Sequence, residues 1–208
     1  GRRIMWAWIM DEPEFGVRSK HGWSGTLSLP RVLSLGDDDQ LRIDVPEEIE
    51  ALRYGAVQRD PFILQSGTDL TIDEASGDSL ELLVEFENNG VSAYGVKVCV
   101  SPDGQEETSI FYDAKEQRLK IDTCKSGPEG TPRTVEAAPF ELKDGESLKL
   151  RIFVDKSVVE VFANSRQAVM RRIYPSRRDS VGVELFCQGG DTRVCALEAW
   201  NLSPSNPY

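Results

Sequence analysis

Two carboxylates on either side of one turn, Asp155 and Glu160 in Val154-Asp155-Lys156-Ser157-Val158-Val159-Glu160, are the first residues of this chain that could do chemistry. General acid–base or nucleophilic work uses carboxyl groups held against a reacting bond. The same two residues have a local reading: Asp155 caps the turn, and Glu160 fills a polar strand position beside Arg151 or Lys149. The local reading needs nothing beyond the strand pattern and is preferred. The single histidine, His21, would have to carry any Ser-His-Asp or Cys-His mechanism, and its polar setting, Lys20-His21-Gly22, argues against one. The four cysteines, Cys99, Cys124, Cys187 and Cys195, form no CxxC pair and lack zinc-site spacing. They could close two disulfides, although buried thiols within strands explain them more simply.

The elements that must position these residues repeat with period two. Leu80, Leu82, Val84 and Phe86 alternate with Glu81, Glu85 and Glu87, the pattern of a half-buried strand with one wet face. Tyr94–Val100, Leu148–Val154 and Val159–Ala163 alternate likewise, and Gly-, Asp- and Ser-rich turns punctuate the runs. Three hairpins are expected: Ser109–Asp113 on Arg118–Thr123, Leu148–Val154 on Val158–Ala163, and Val181–Cys187 on Thr192–Trp200. Many short strands at this spacing predict a two-sheet β-sandwich or barrel. One helix is expected, Pro46–Gly55, with Pro near its start, acids in its first turn and Gly past its end. It divides about four strand-like runs (Arg3–Met10, Thr26–Leu29, Arg31–Leu35, Gln40–Val45) from the long alternating region. The leading part is too small to bury a core alone and reads as one sheet or propeller blade waiting for neighbours.

The chain has 208 residues, 39% hydrophobic and 28% charged, with a net charge of −11. That charge disfavours nucleic acid and anionic membranes as partners. The basic runs Arg171-Arg172 and Arg177-Arg178 lack interleaved aromatics and are read as solvated surface. No stretch approaches the ~18 apolar residues that suggest a membrane span. The sequence opens abruptly in strand-like residues with no visible signal peptide, so a longer parent protein is expected, and the compartment stays open.

Several motifs now combine. Leu150–Asn164, with Asp155-Lys156-Ser157 and Val159-Glu160-Val161-Phe162 at its centre, is similar to a hairpin in the C-terminal sandwich of family-32 glycoside hydrolases. Ala168–Pro175 matches the usual continuation. Arg2–Trp8 and Gly22–Arg31 (Gly-Trp-Ser-Gly-Thr-Leu-Ser-Leu-Pro-Arg) resemble the last blade of that family's five-bladed propeller. The motifs occur in the family's order across nearly the whole chain.

The resemblance implies an all-β chain: a partial propeller-like segment over 1–45, a short linker helix over 46–55 and a two-sheet antiparallel sandwich over 56–208. It implies a parent that hydrolyses β-fructosidic bonds in sucrose, levan or inulin with retention, using three propeller acids and neither metal nor organic cofactor. The nucleophile and acid/base motifs do not occur here. Asp11, in Trp8-Ile9-Met10-Asp11-Glu12-Pro13, is a loose look-alike on the wrong strand. Arg59-Asp60-Pro61 spells the tripeptide of the stabilising Asp but follows the last-blade motifs, so Asp60 is read as a linker acid before a strand-starting proline. No catalytic residue is therefore assigned, and the family keeps the Asp155–Glu160 hairpin away from its active site. Trp23, in a Gly-flanked turn, is the candidate for stacking on sugar. Trp6 and Trp8 share a strand face, so at least one is expected in the core, as is Trp200. The expected partner is the propeller, with fructan or a second copy as further possibilities. The alternatives are a free-standing carbohydrate-binding sandwich and an oligomerisation module.

Overall fold

The computed structural model describes residues 1–10 and 25–205. Trp23, Asp11 and His21 lie outside the described residues, so the sugar-stacking expectation at Trp23 is not addressed.

The leading residues form a short antiparallel ribbon. β1 (Arg3–Met5) pairs with β4 (Arg31–Leu35), β4 pairs with β5 (Leu41–Asp44), and β2 (Trp8–Ile9) pairs with β3 (Thr26–Leu27). Ser28 joins the two pairings: its N–H donates to Ala7 O and its hydroxyl accepts from Ala7 N–H. The run Arg3–Met10 is thus two strands rather than one. A 3-10 helix, Glu47–Leu52, follows, and β6 (Arg53–Arg59) begins at once. The helix is shorter and tighter than the sequence suggested because Arg53 is extended (ψ 137) and joins a sheet.

From β6 onward the alternating runs build two facing sheets. In one, the order is β13 (Val135–Pro139), β12 (Arg118–Asp122), β11 (Thr108–Asp113), β10 (Ala93–Val100), β17 (Gly182–Gln188) and β8 (Leu70–Thr71). In the other it is β16 (Gln167–Arg172), β15 (Val158–Ala163), β14 (Leu148–Asp155), β9 (Ser79–Phe86), β18 (Thr192–Leu202) and β6, with β7 (Phe62–Leu64) also pairing with β18. The inward positions, among them Leu82, Phe86, Val96, Ile110, Leu150 and Val161, fill one core between the sheets.

Two of the three expected hairpins form, β11–β12 and β14–β15. The third does not. β17 pairs with β10 and β8 in the six-stranded sheet, whereas β18 pairs with β9, β6 and β7 in the other. The Gly189-Gly190 segment between them crosses from sheet to sheet. Gly189 has φ +84, and a Cβ there would stand 2.1 Å from Ser92 Oγ. The β15–β16 turn is tight. Asn164 and Ser165 both have positive φ (47° and 53°), and Arg166 N–H donates to Ala163 O, as in a type I′ turn.

Candidate functional site

The face of the seven-stranded sheet that points away from the core was expected to be wet, because its positions hold Glu81, Arg151 and Glu160. It is instead covered in part by the ribbon and the 3-10 helix. Phe153 and Phe162, on that face, pack at 6.1 Å edge to face and join Val45, Leu29, Ile43, Ile49 and Leu202 in a second apolar cluster. Burial of this face brings its charges into pairs.

Glu160 is one hub. Leu29 N–H donates to Oε1 (2.6 Å) and Arg31 Nη2 donates to Oε2 (2.9 Å), with the two side chains only 4% and 6% exposed. Arg31 also lies 5.6 Å from the Phe162 ring centre and 3.3 Å from Met170 Sδ. Burial pushes the Glu160 carboxyl above the usual range, while Leu29 N–H and Arg31 pull it back. The sequence reading beside Arg151 or Lys149 is therefore corrected: the partner is Arg31, from the ribbon. Two motifs that carried the resemblance, Ser28-Leu29-Pro30-Arg31 and Val159-Glu160-Val161-Phe162, meet at this point.

Glu81 is the other hub. It is fully buried, accepting from Arg53 Nε (2.8 Å) and Nη2 (2.6 Å) and from Arg151 Nε (2.7 Å). Arg53 lies over the Trp200 ring at 4.0 Å, and Arg151 reaches Asp44 of the ribbon at 3.3 Å. Trp200 is thus half-buried under a guanidinium rather than in the core.

Beside the joint runs an open groove of about 720 Å³. Asp44, Glu85, Glu146, Lys149, Asn164 and Glu198 line it. Its charges answer one another: Lys149 Nζ lies 3.5 Å from Glu85, and Asn164 Nδ2 donates to Glu146.

The other sequence candidates fall apart. Asp60 is exposed between β6 and β7, and Asp155 is exposed at its turn. Trp6 and Trp8 are both exposed, 53% and 61%, against the expectation that one is core. Arg171 is not freely solvated: its side chain is 12% exposed and pairs with Glu136 of the opposite sheet at 2.7 Å. Arg177 is held between Asp103 and Asp179. All four cysteines are free thiols, with Cys99 and Cys187 buried. Among the described residues no group of three or more His, Cys, Asp or Glu could hold a metal ion.

The missed feature was the joint. Phe153 and Phe162 at supposedly wet positions were the visible signal, since two large aromatics on a solvent face call for a cover.

Comparison with known proteins gives a consistent result. The model for "Glycosyl hydrolases family 32 C terminal" matches residues 48–201. Beta-fructofuranosidase, insoluble isoenzyme 7, from Oryza sativa subsp. indica is 27% identical over 247 residues, covering 97% of this chain and 41% of the relative. Levanase from Bacillus subtilis (strain 168) is 28% identical over 218 residues, covering 98% of this chain and 32% of the relative. Fructan 1-exohydrolase IIa from Cichorium intybus superposes with a TM-score of 0.84 at 20% identity, over 99% of this chain and 46% of that one. The chain thus spans about a third to two fifths of the length of these curated relatives.

Proposed function

The chain belongs to the family-32 glycosyl hydrolases through their C-terminal domain, and on that premise we propose that it is the non-catalytic sandwich module of a β-fructosidase-like hydrolase, docking its ribbon on the propeller that carries the acids. One observation supports this most directly. Eight of the eleven exposed large apolar side chains among the described residues lie between Ile4 and Leu41, on the ribbon, and three of them are Trp6, Trp8 and Met10. A patch so concentrated is an interface rather than ordinary surface. The relatives' additional length supports this reading, in which a neighbouring sheet of the propeller would cover the patch.

The parent's substrate class is a β-fructoside, in line with the names of the relatives. Within this chain the groove beside Asp44 is the place where a longer fructan would lie. Its lining mixes carboxylates, an amide and an ammonium, which suits a neutral polyhydroxylated chain and repels polyanions.

The purified chain should release no fructose from sucrose, levan or inulin, and it should bind an environment-sensitive apolar dye that Trp6→Ser and Trp8→Ser together displace. Fructose release abolished by Asp60→Asn would overturn the non-catalytic reading. Retardation in an inulin-containing gel, relieved by Lys149→Ala, is expected for the groove; migration unaffected by inulin would remove that part.

A further inference from the structure

We propose that the two ion-paired hubs lock the ribbon, the 3-10 helix and the sandwich into one cooperative body, so that the joint after Asp44 is not a hinge. The segment between ribbon and sandwich is short and has the look of a linker. Yet it is held from both sides. On the ribbon side, Leu29 N–H and Arg31 both donate to Glu160 of β15, and Asp44 takes Arg151 of β14 and the Ser165 hydroxyl. The backbone adds Ile43 N–H to Ser165 O at 2.7 Å. On the far side, Arg53 is fixed by buried Glu81, and Ser203 N–H donates to Leu52 O at 2.8 Å. Val45 and Ile49 lie between, against Phe153 and Phe162.

Separating ribbon from sandwich would leave Glu160 and Arg31 without each other, exposing the apolar cluster at the same step. Neither charge has a second ionic partner among the described salt bridges. A pair this buried makes partial opening expensive, so the elements open together or not at all. In the parent enzyme, and here the inference rests on the function proposed above, the ribbon would then move with the sandwich as one body.

Hydrogen exchange followed by mass spectrometry, with increasing urea, tests the lock on the 208-residue chain. Amides of β4 and β5 are expected to share the opening equilibrium and the urea dependence of β14 and β15. Exchange in β4 and β5 at least about 100-fold faster, with no urea dependence, would overturn the proposal. Glu160→Gln and Arg31→Met should each speed exchange of β4 and β5 by about 100-fold or more, and by no less than exchange of β10–β12. Unchanged β4 and β5 protection in both would also overturn it. If either variant fails to fold, the wild-type urea series decides alone. None of these readouts involves fructose release, so failure of the lock is distinct from failure of the module assignment.

Discussion

Replacing Glu81 by alanine would leave two largely buried guanidiniums facing each other, with only the half-exposed Glu50 and Asp44 left to pair with them. The side chains of Arg53 and Arg151 are only 16% and 15% exposed, and Glu81 is fully buried. The cost is therefore set by desolvated charge rather than by lost contact area. Removing one member of a buried ionic set costs about 3–5 kcal/mol. For a chain of this size each kcal/mol moves the thermal midpoint by roughly 2–4 °C, so Glu81→Ala should lower it by about 6–20 °C. Lys156–Asp78 is the control. Its separation is also 2.7 Å, but the side chains are 66% and 55% exposed, so Asp78→Asn should cost no more than about 1 kcal/mol. Circular dichroism melts and urea titrations read both variants. Raising salt to about 1 M, where the screening length is about 3 Å, should leave the difference between them intact. A charge-free set, Arg53→Met with Glu81→Leu and Arg151→Met, should recover most of the loss, because no buried unpaired charge remains; Glu50 and Asp44, which lose their arginines, are half-exposed. A loss for Glu81→Ala below about 1 kcal/mol, or no recovery in the triple variant, would refute this account.

A Cβ on Gly95 would stand 2.0 Å from Ile110 O and 2.6 Å from Phe111 Cα, so Gly95→Ala should force β10 from β11 and cost about 1–3 kcal/mol or more in urea unfolding. Glu106 is buried, which alone would raise its carboxyl, but Ser180, Ser176 and Arg177 donate to it and hold it below the ordinary value near 4.5. Its stabilising contribution is thus present above that value and lost as pH falls through the lower folded one; Glu106→Gln should flatten this part of the pH–stability curve. Glu160, raised by burial, contributes with the opposite sign: its term is largest in acid and is lost as pH rises through its folded value, so Glu160→Gln should change the curve in the reverse sense. Burial pushes the Cys99 thiol up to about 12, so alkylation at pH 8 should label exposed Cys124 in the native protein and reach Cys99 only after unfolding, read by peptide mass.

The sandwich was legible because strand alternation is a local signal. Leu150, Ile152 and Val154 point inward whatever lies outside, and the turn at Asp155-Lys156-Ser157 closes a hairpin by its own backbone preference. The charged alternates were not legible in the same way. Glu81 and Glu160 have the residue type of a wet face, and only the tertiary cover supplied by Leu29, Arg31 and Val45 makes them interior. Gly189-Gly190 gave no guide to sheet membership, since a glycine pair serves a hairpin and a crossing equally. The groove was invisible for a related reason: Asp44 and Glu198 lie in the ribbon and the last strand, and only the fold sets them along one channel.

The crossing at Gly189-Gly190 has a consequence for how the chain is made. β18, the last strand of the sandwich in sequence, lies between β9 and β6, and pairs residue 197 with both 59 and 84. Until it arrives, β6 and β7 have no neighbour in their sheet and β9 has an open side. Vectorial synthesis therefore keeps β6, β7 and one side of β9 waiting for β18, with Phe62, Leu64 and Leu82 uncovered. Closure of this sheet must await β18, and it is dominated by contacts between distant parts of the chain and correspondingly slow. A nascent chain stalled before residue 192 would present unsatisfied strand edges to chaperones, whereas one extended beyond residue 202 could close both sheets in a single step.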